Sequence, residues 1–147
     1  MIFLKNFIIN LTLFIIGGIG YGFIEIAFRG YTHWSMVITG GSAFLCLYII
    51  HKSFKYIPIY KTALLGAFVI TLLELTVGLV VNKMFNFSVW NYTNTPFNLL
   101  GIISLPFSFC WYVISYISLT VFKLIKRITE SQLLYIPLHR VMELRQK

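Results

Sequence analysis

Long apolar runs alternate with short polar breaks along this chain, and the runs have the length of membrane spans rather than of buried strands. Four stand out, at about residues 7–28, 36–50, 62–81 and 99–122. A helix needs roughly 20 apolar residues to cross a ~30 Å hydrocarbon core, and three of the runs meet that length. The second, at 15 residues, rises only about 22 Å; it either extends back to Trp34 and Ser35 or starts in a shallow re-entrant loop. The first run is too long for a signal-peptide core and leads into Arg29-Gly30 rather than a small-residue cleavage site, so it reads as a retained span. The pattern predicts an all-α polytopic membrane protein with four transmembrane helices. A transmembrane domain over 1–122 is followed by a basic, amphipathic tail over 123–147, with Ile125, Ile128, Leu133, Leu134 and Leu138 recurring around Pro137.

Composition narrows the class. Of 147 residues 59% are hydrophobic and only 11% charged, with a mean hydropathy of +0.84. A soluble domain is about 25% charged, so a soluble enzyme, a disordered chain and a DNA-binding module are excluded. The net charge of +8 does not point to nucleic acid, because the basic residues lie between apolar runs instead of on one water-exposed face. Ten of them (Lys5, Lys52, Lys55, Lys61 and six after the fourth run) fall on one side, against Arg29 and Lys83 on the other. The positive-inside rule then places both termini in the cytoplasm. The expected partner is the lipid bilayer, and the expected location a cell membrane, bacterial by its Ile-, Lys-, Asn- and Phe-rich composition.

The candidate chemistry rests on polar groups that do not belong in lipid. Gly18, Gly22, Glu25 and Arg29 share one face of the first helix, so a close-packing surface also carries the charges. Glu74 lies deeper, on the stripe Gly66, Ile70, Glu74, Gly78, Asn82. A charge at the centre of a helix costs on the order of 3 kcal/mol on insertion scales, so Glu74 must face the bundle interior, find a donor or be protonated. On the fourth run Gly101, Ser104, Ser108, Trp111, Ser115 and Ser118 follow helical spacing, and Pro106 predicts a kink. Two segments lie on the outer side: 29–35, rich in aromatic and polar groups, and 82–98, rich in Asn and aromatics and carrying Trp90, Asn91 and Asn98. Cys46 and Cys110, both within apolar runs, read as inert core thiols. His33 next to the boundary is an acid–base candidate with Glu25, although a packing role fits it better. No catalytic triad, metal-ligand spacing, phosphate loop or CxxC is present, so neither a cofactor nor a metal is expected, and an enzyme is the least favoured class.

The stretch Val89-Trp-Asn-Tyr-Thr-Asn-Thr-Pro-Phe-Asn-Leu-Leu-Gly-Ile-Ile-Ser-Leu-Pro-Phe-Ser-Phe-Cys-Trp111 resembles the signature of a small integral-membrane family labelled putative ABC transporter type IV, or CmpB-type. Tyr21-Gly-Phe-Ile-Glu25, Phe28-Arg-Gly30 and Glu74 match further positions of that pattern, so the resemblance covers most of residues 17 to 118. Asn91 stands where the family usually has Asp, Ile102 where Arg often follows the Gly, and Ser104 where Cys is common, which would leave two fewer charges at the outer surface. The resemblance implies the membrane part of a larger transporter, since the chain lacks a nucleotide-binding motif. The expected function is a permease-like or substrate-binding component with an outward-facing polar site of Glu25, Arg29, Glu74, Asn82, Trp90, Asn91 and Asn98. Its expected partner is an ATPase or other membrane subunit, or a second copy. The alternative is a structural or regulatory membrane protein whose Glu residues clasp helices and whose tail docks a partner.

Overall fold

Each apolar run becomes a helix, because backbone polar groups in lipid must be satisfied within the segment that carries them. The computed structural model describes residues 2–145, with side chains described for residues 3–130. Helix α1 spans Ile2–Arg29, α2 Trp34–Ser53, α3 Ile59–Gly78 and α4 Leu105–Arg145. All four are long and apolar enough to cross a membrane. Helix α2 resolves the ambiguity of the short second run: it starts at Trp34 and its 20 residues span about 30 Å. His33 caps it, with Nδ1 accepting from the Ser35 amide at 3.3 Å and lying 2.7 Å from Ser35 Oγ.

Short connections, 30–33 and 54–58, turn the chain back between α1 and α2 and between α2 and α3, whereas α3 and α4 are joined by the long segment 79–104. Helices α1 and α2 approach most closely through glycines. A Cβ on Gly17 would strike Phe44 Cβ and the Gly40 carbonyl, and one on Gly40 would strike Tyr21. The predicted Gly18 packs against Val37 as well, but Gly22 has more room, so the tight seam runs through Gly17 and Gly40. The α3 stripe is buried as expected at Gly66, Ile70, Glu74 and Gly78. Helix α3 packs on α4, and α2 on α3. Among the described residues the axes of α1 and α4 stay apart, bridged by the stacked pair Tyr21–Trp111 (5.2 Å between centroids) and the edge-to-face pair Phe28–Phe107 (6.3 Å).

The fourth run departs from its predicted start. Residues 98–104 form a tight hairpin, with strand β1 (Asn98–Leu99) pairing antiparallel to β2 (Ile103–Ser104). Leu100 and Gly101 both have positive φ (57° and 65°), as a type I′ turn requires. Gly101 and Ser104 therefore lie off the helix. Pro106, in the first turn of α4, costs no internal hydrogen bond and makes no kink. Cys110 is exposed, beside the gap between α1 and α4, rather than in the core. Helix α4 continues through the tail to Arg145. Its apolar positions Leu133, Leu134 and Leu138 lie outside the residues whose side chains are described.

Candidate functional site

Glu74 is the polar centre of the bundle. Only 1% of it is exposed, and both oxygens are engaged. The Tyr21 hydroxyl of α1 donates to Oε1 at 2.7 Å, and the Trp111 indole N–H of α4 donates to Oε2 at 2.7 Å. One carboxyl thus ties three helices, and its two donors stack on each other. The indole N–H of Trp90 neighbours the same carboxyl without closing a hydrogen bond of ordinary geometry.

Above this clasp the chain is held by side-chain pins. Six residues of π-helix, Leu79–Met84, extend α3 and carry Asn82 beneath the following loop. Asn82 Oδ1 accepts from the amides of Val89 (3.0 Å) and Trp90 (3.3 Å), while its Nδ2 donates to the Trp90 carbonyl. That lowers Trp90 into the core, where 2% of it is exposed. Arg29 closes the other side: its guanidinium bonds the Glu25 carboxylate, donates to the Val89 carbonyl and reaches Met36 Sδ at 3.2 Å. Asn98 organises the hairpin, its Nδ2 donating to the Thr95 carbonyl (2.9 Å) and its Oδ1 accepting from the Gly101 amide (3.2 Å). Asn91 makes a local turn with Thr93 on the surface.

Of the seven residues singled out, the fold brings Glu25, Arg29, Glu74, Asn82 and Trp90 to one end of the bundle, around and under the loop. It leaves Asn91 and Asn98 on the exposed face of the loop as turn-makers. His33 faces Ser35, Trp34 and Phe87 instead of pairing with Glu25. Tyr21 and Trp111, the donors to Glu74, were missed as partners, although both sit inside the quoted motif segments. Ile102 is buried to 1% exposure on Gly78, so this position is core and not an outer-surface site missing a charge.

A cavity of about 220 Å³ opens beside the ion pair, between α1 and α4. Glu25 and Arg29 supply its charge, and Phe28, Tyr92, Phe107 and Trp111 its aromatic wall. Tyr92, in the loop, stacks on Phe107 at 4.4 Å. Burial, with both carboxylates nearby, pushes its phenol well above the ordinary tyrosine range. The cavity can therefore offer an anion, a cation and a neutral hydroxyl within an aromatic frame. Among the described residues, no group of three or more His, Cys, Asp or Glu could hold a metal.

A family model described as putative ABC-transporter type IV matches residues 11–142. The chain belongs to that family. The match takes in α1 through α4 and the whole of the clasp, so the type IV chain carries its polar centre within the shared region. No curated protein and no solved structure matches it.

Proposed function

We propose that this type IV chain is the membrane-embedded, permease-like component of an ABC-type transporter, and that it recognises a small amphiphilic molecule beside Glu25 and Arg29. One observation carries the reading: among the described residues, the only charges lining the 220 Å³ cavity between α1 and α4 are this pair, set in an aromatic wall. A ligand group that pairs with Glu25 or Arg29 meets a side chain whose desolvation the fold has already borne. In this reading Glu25 and Arg29 touch the substrate, Glu74, Asn82 and Trp90 hold the frame, and Asn91 and Asn98 shape the loop above. The ten-to-two distribution of basic residues supports an orientation with both termini in the cytoplasm of a bacterial cell and the cavity facing out. An ATPase subunit would supply the energy, and catalysis is not part of the role.

A second reading has one specific observation behind it. Both Glu74 oxygens are satisfied by protein donors, as a purely structural clasp requires, which fits a non-transporting scaffold or regulator. Purification of the full chain from native membranes in mild detergent separates the two. Co-elution of an ATPase subunit, together with a co-purifying small molecule lost in Glu25→Gln and Arg29→Gln, is the expected result. A chain that elutes with neither, and whose two variants behave as wild type, would overturn the transporter reading in favour of the scaffold.

A further inference from the structure

The gap between α1 and α4 continues below the Tyr21–Trp111 stack, away from the Glu25–Arg29 cavity. Directly under the stack lies an apolar recess of about 190 Å³, lined by Ile16 and Gly20 of α1 and by Ile114 and Ser118 of α4. One turn further along both helices it is followed by a recess of about 590 Å³, walled by Ile9, Leu13, Phe122 and Ile125. The mouth of this second recess is basic. Lys52, Lys55 and Lys126 border it, and Lys55 and Lys126 are shared with an adjoining recess of about 320 Å³ that adds Lys123. Lys55, Lys123 and Lys126 all lie within electrostatic reach of His51, so they converge on one spot. Glu130 is the single carboxylate at this mouth among the described residues, 3.6 Å from Lys126 in an exposed pair, and such pairs hold little energy.

We infer that the α1–α4 groove is a binding site for an anionic phospholipid, with the phosphate among Lys52, Lys55, Lys123 and Lys126 and one acyl chain lying along the groove toward Trp111. The polarity gradient selects this occupant. An apolar partner helix would fill the apolar part and leave Lys52, Lys55 and Lys123 facing no carboxylate among the described residues, whereas a phospholipid is anionic at one end and apolar along the rest. Basic pockets between transmembrane helices have this recognition chemistry. The dimensions agree. From Lys123 to Trp111 α4 rises about 18 Å, close to the ~15 Å of hydrocarbon in one leaflet, and the Tyr21–Trp111 stack ends the groove there. The inference does not rest on the proposed transport role, since the lysine-rimmed recess shares no lining residue with the Glu25–Arg29 cavity.

Trp111 serves as the reporter. In a full-length Trp34→Phe chain only the buried Trp90 and Trp111 remain. This chain is reconstituted in vesicles of phosphatidylcholine into which phosphatidylglycerol or phosphatidylcholine, brominated near the chain end, is titrated. Brominated phosphatidylglycerol is expected to quench at a lower mole fraction than brominated phosphatidylcholine. Each lysine removed should weaken that preference roughly fivefold, so Lys52→Gln/Lys55→Gln/Lys126→Gln should weaken it roughly a hundredfold. Should the triple variant not fold, Lys55→Gln alone must show the fivefold step. Gly20→Leu provides the second arm: Gly20 lines the recess and a Cβ there meets nothing within 4 Å, so the added side chain is expected to occupy the groove and cut quenching by the anionic lipid while the lysines stay intact. Equal quenching by the two lipids, a preference that survives the lysine changes, or quenching unaffected by Gly20→Leu would each overturn the inference. So would a dimer by light scattering whose groove excludes both lipids, which would place a second copy there.

Discussion

Replacing Glu74 tests whether one carboxyl organises the bundle, and the structure sets the size of the effect. Glu74→Leu leaves the Tyr21 hydroxyl and the Trp111 indole N–H, both on buried residues, without an acceptor. Interhelical hydrogen bonds in membranes average about 0.6 kcal/mol by double-mutant cycles, but stranding a buried donor costs about 1–3 kcal/mol. Two stranded donors therefore cost about 2–4 kcal/mol, read toward the lower half because the Tyr21 hydroxyl can rotate. Glu74→Gln should behave differently, for a reason in the donor inventory. An indole N–H only donates, whereas a tyrosine hydroxyl donates or accepts. The Gln carbonyl can take the Trp111 hydrogen bond while its amide donates to a reversed Tyr21 hydroxyl, so both bonds survive and the cost stays below about 1 kcal/mol. Thermal unfolding of the full chain in detergent measures both: roughly 4 °C or more of lost Tm for Leu, and little for Gln. A Leu variant as stable as wild type would refute the clasp. A Gln variant as damaged as Leu would refute the neutral exchange of partners and show that the carboxylate itself is needed.

Further tests address the seam, the loop and the orientation. Gly17→Ala should separate α1 from α2 and cost about 1–3 kcal/mol by overpacking, while Gly20→Ala, three residues along, should be silent because its Cβ meets open space; thermal unfolding of the pair decides it. Asn82→Asp keeps the acceptor for the Val89 and Trp90 amides but turns an acceptor on the Trp90 carbonyl, so it should cost about 1–2 kcal/mol and speed limited proteolysis within the 85–97 loop. A loop cleaved no faster would show that Asn82 is not its anchor. Single cysteines at Thr93 and Ser53 in intact cells, probed with an impermeant thiol reagent, should label at Thr93 only; labelling at Ser53 alone would invert the proposed orientation.

Much of this architecture is legible in the order of residues. The number of spans, the buried stripe through Gly66, Ile70, Glu74 and Gly78, and the displacement of basic residues to one side follow from what each residue prefers by itself in lipid or water. Transfer free energy belongs to a single side chain, so it is readable one position at a time. Family membership was also legible, because the Val89–Trp111 segment carries its pattern locally.

The tertiary structure decided what depends on pairs. The donors to Glu74 lie 53 and 37 residues away in sequence, and helical spacing has no reach over that distance. The start of α4 moved from residue 99 to Leu105 because Asn98 binds Thr95 and Gly101, and Ile102 packs on Gly78; an apolar run read by itself cannot distinguish a hairpin from a first helical turn. The parting of α1 from α4, which creates both the Glu25–Arg29 cavity and the lysine-rimmed groove, was equally invisible. It arises from glycine-mediated closeness between α1 and α2, which draws the first helix to the second and leaves its opposite flank bridged by the Tyr21–Trp111 and Phe28–Phe107 ring pairs and the Glu74 clasp. Hydrophobicity determines which segments enter the membrane, while shape complementarity between their surfaces determines which of them touch.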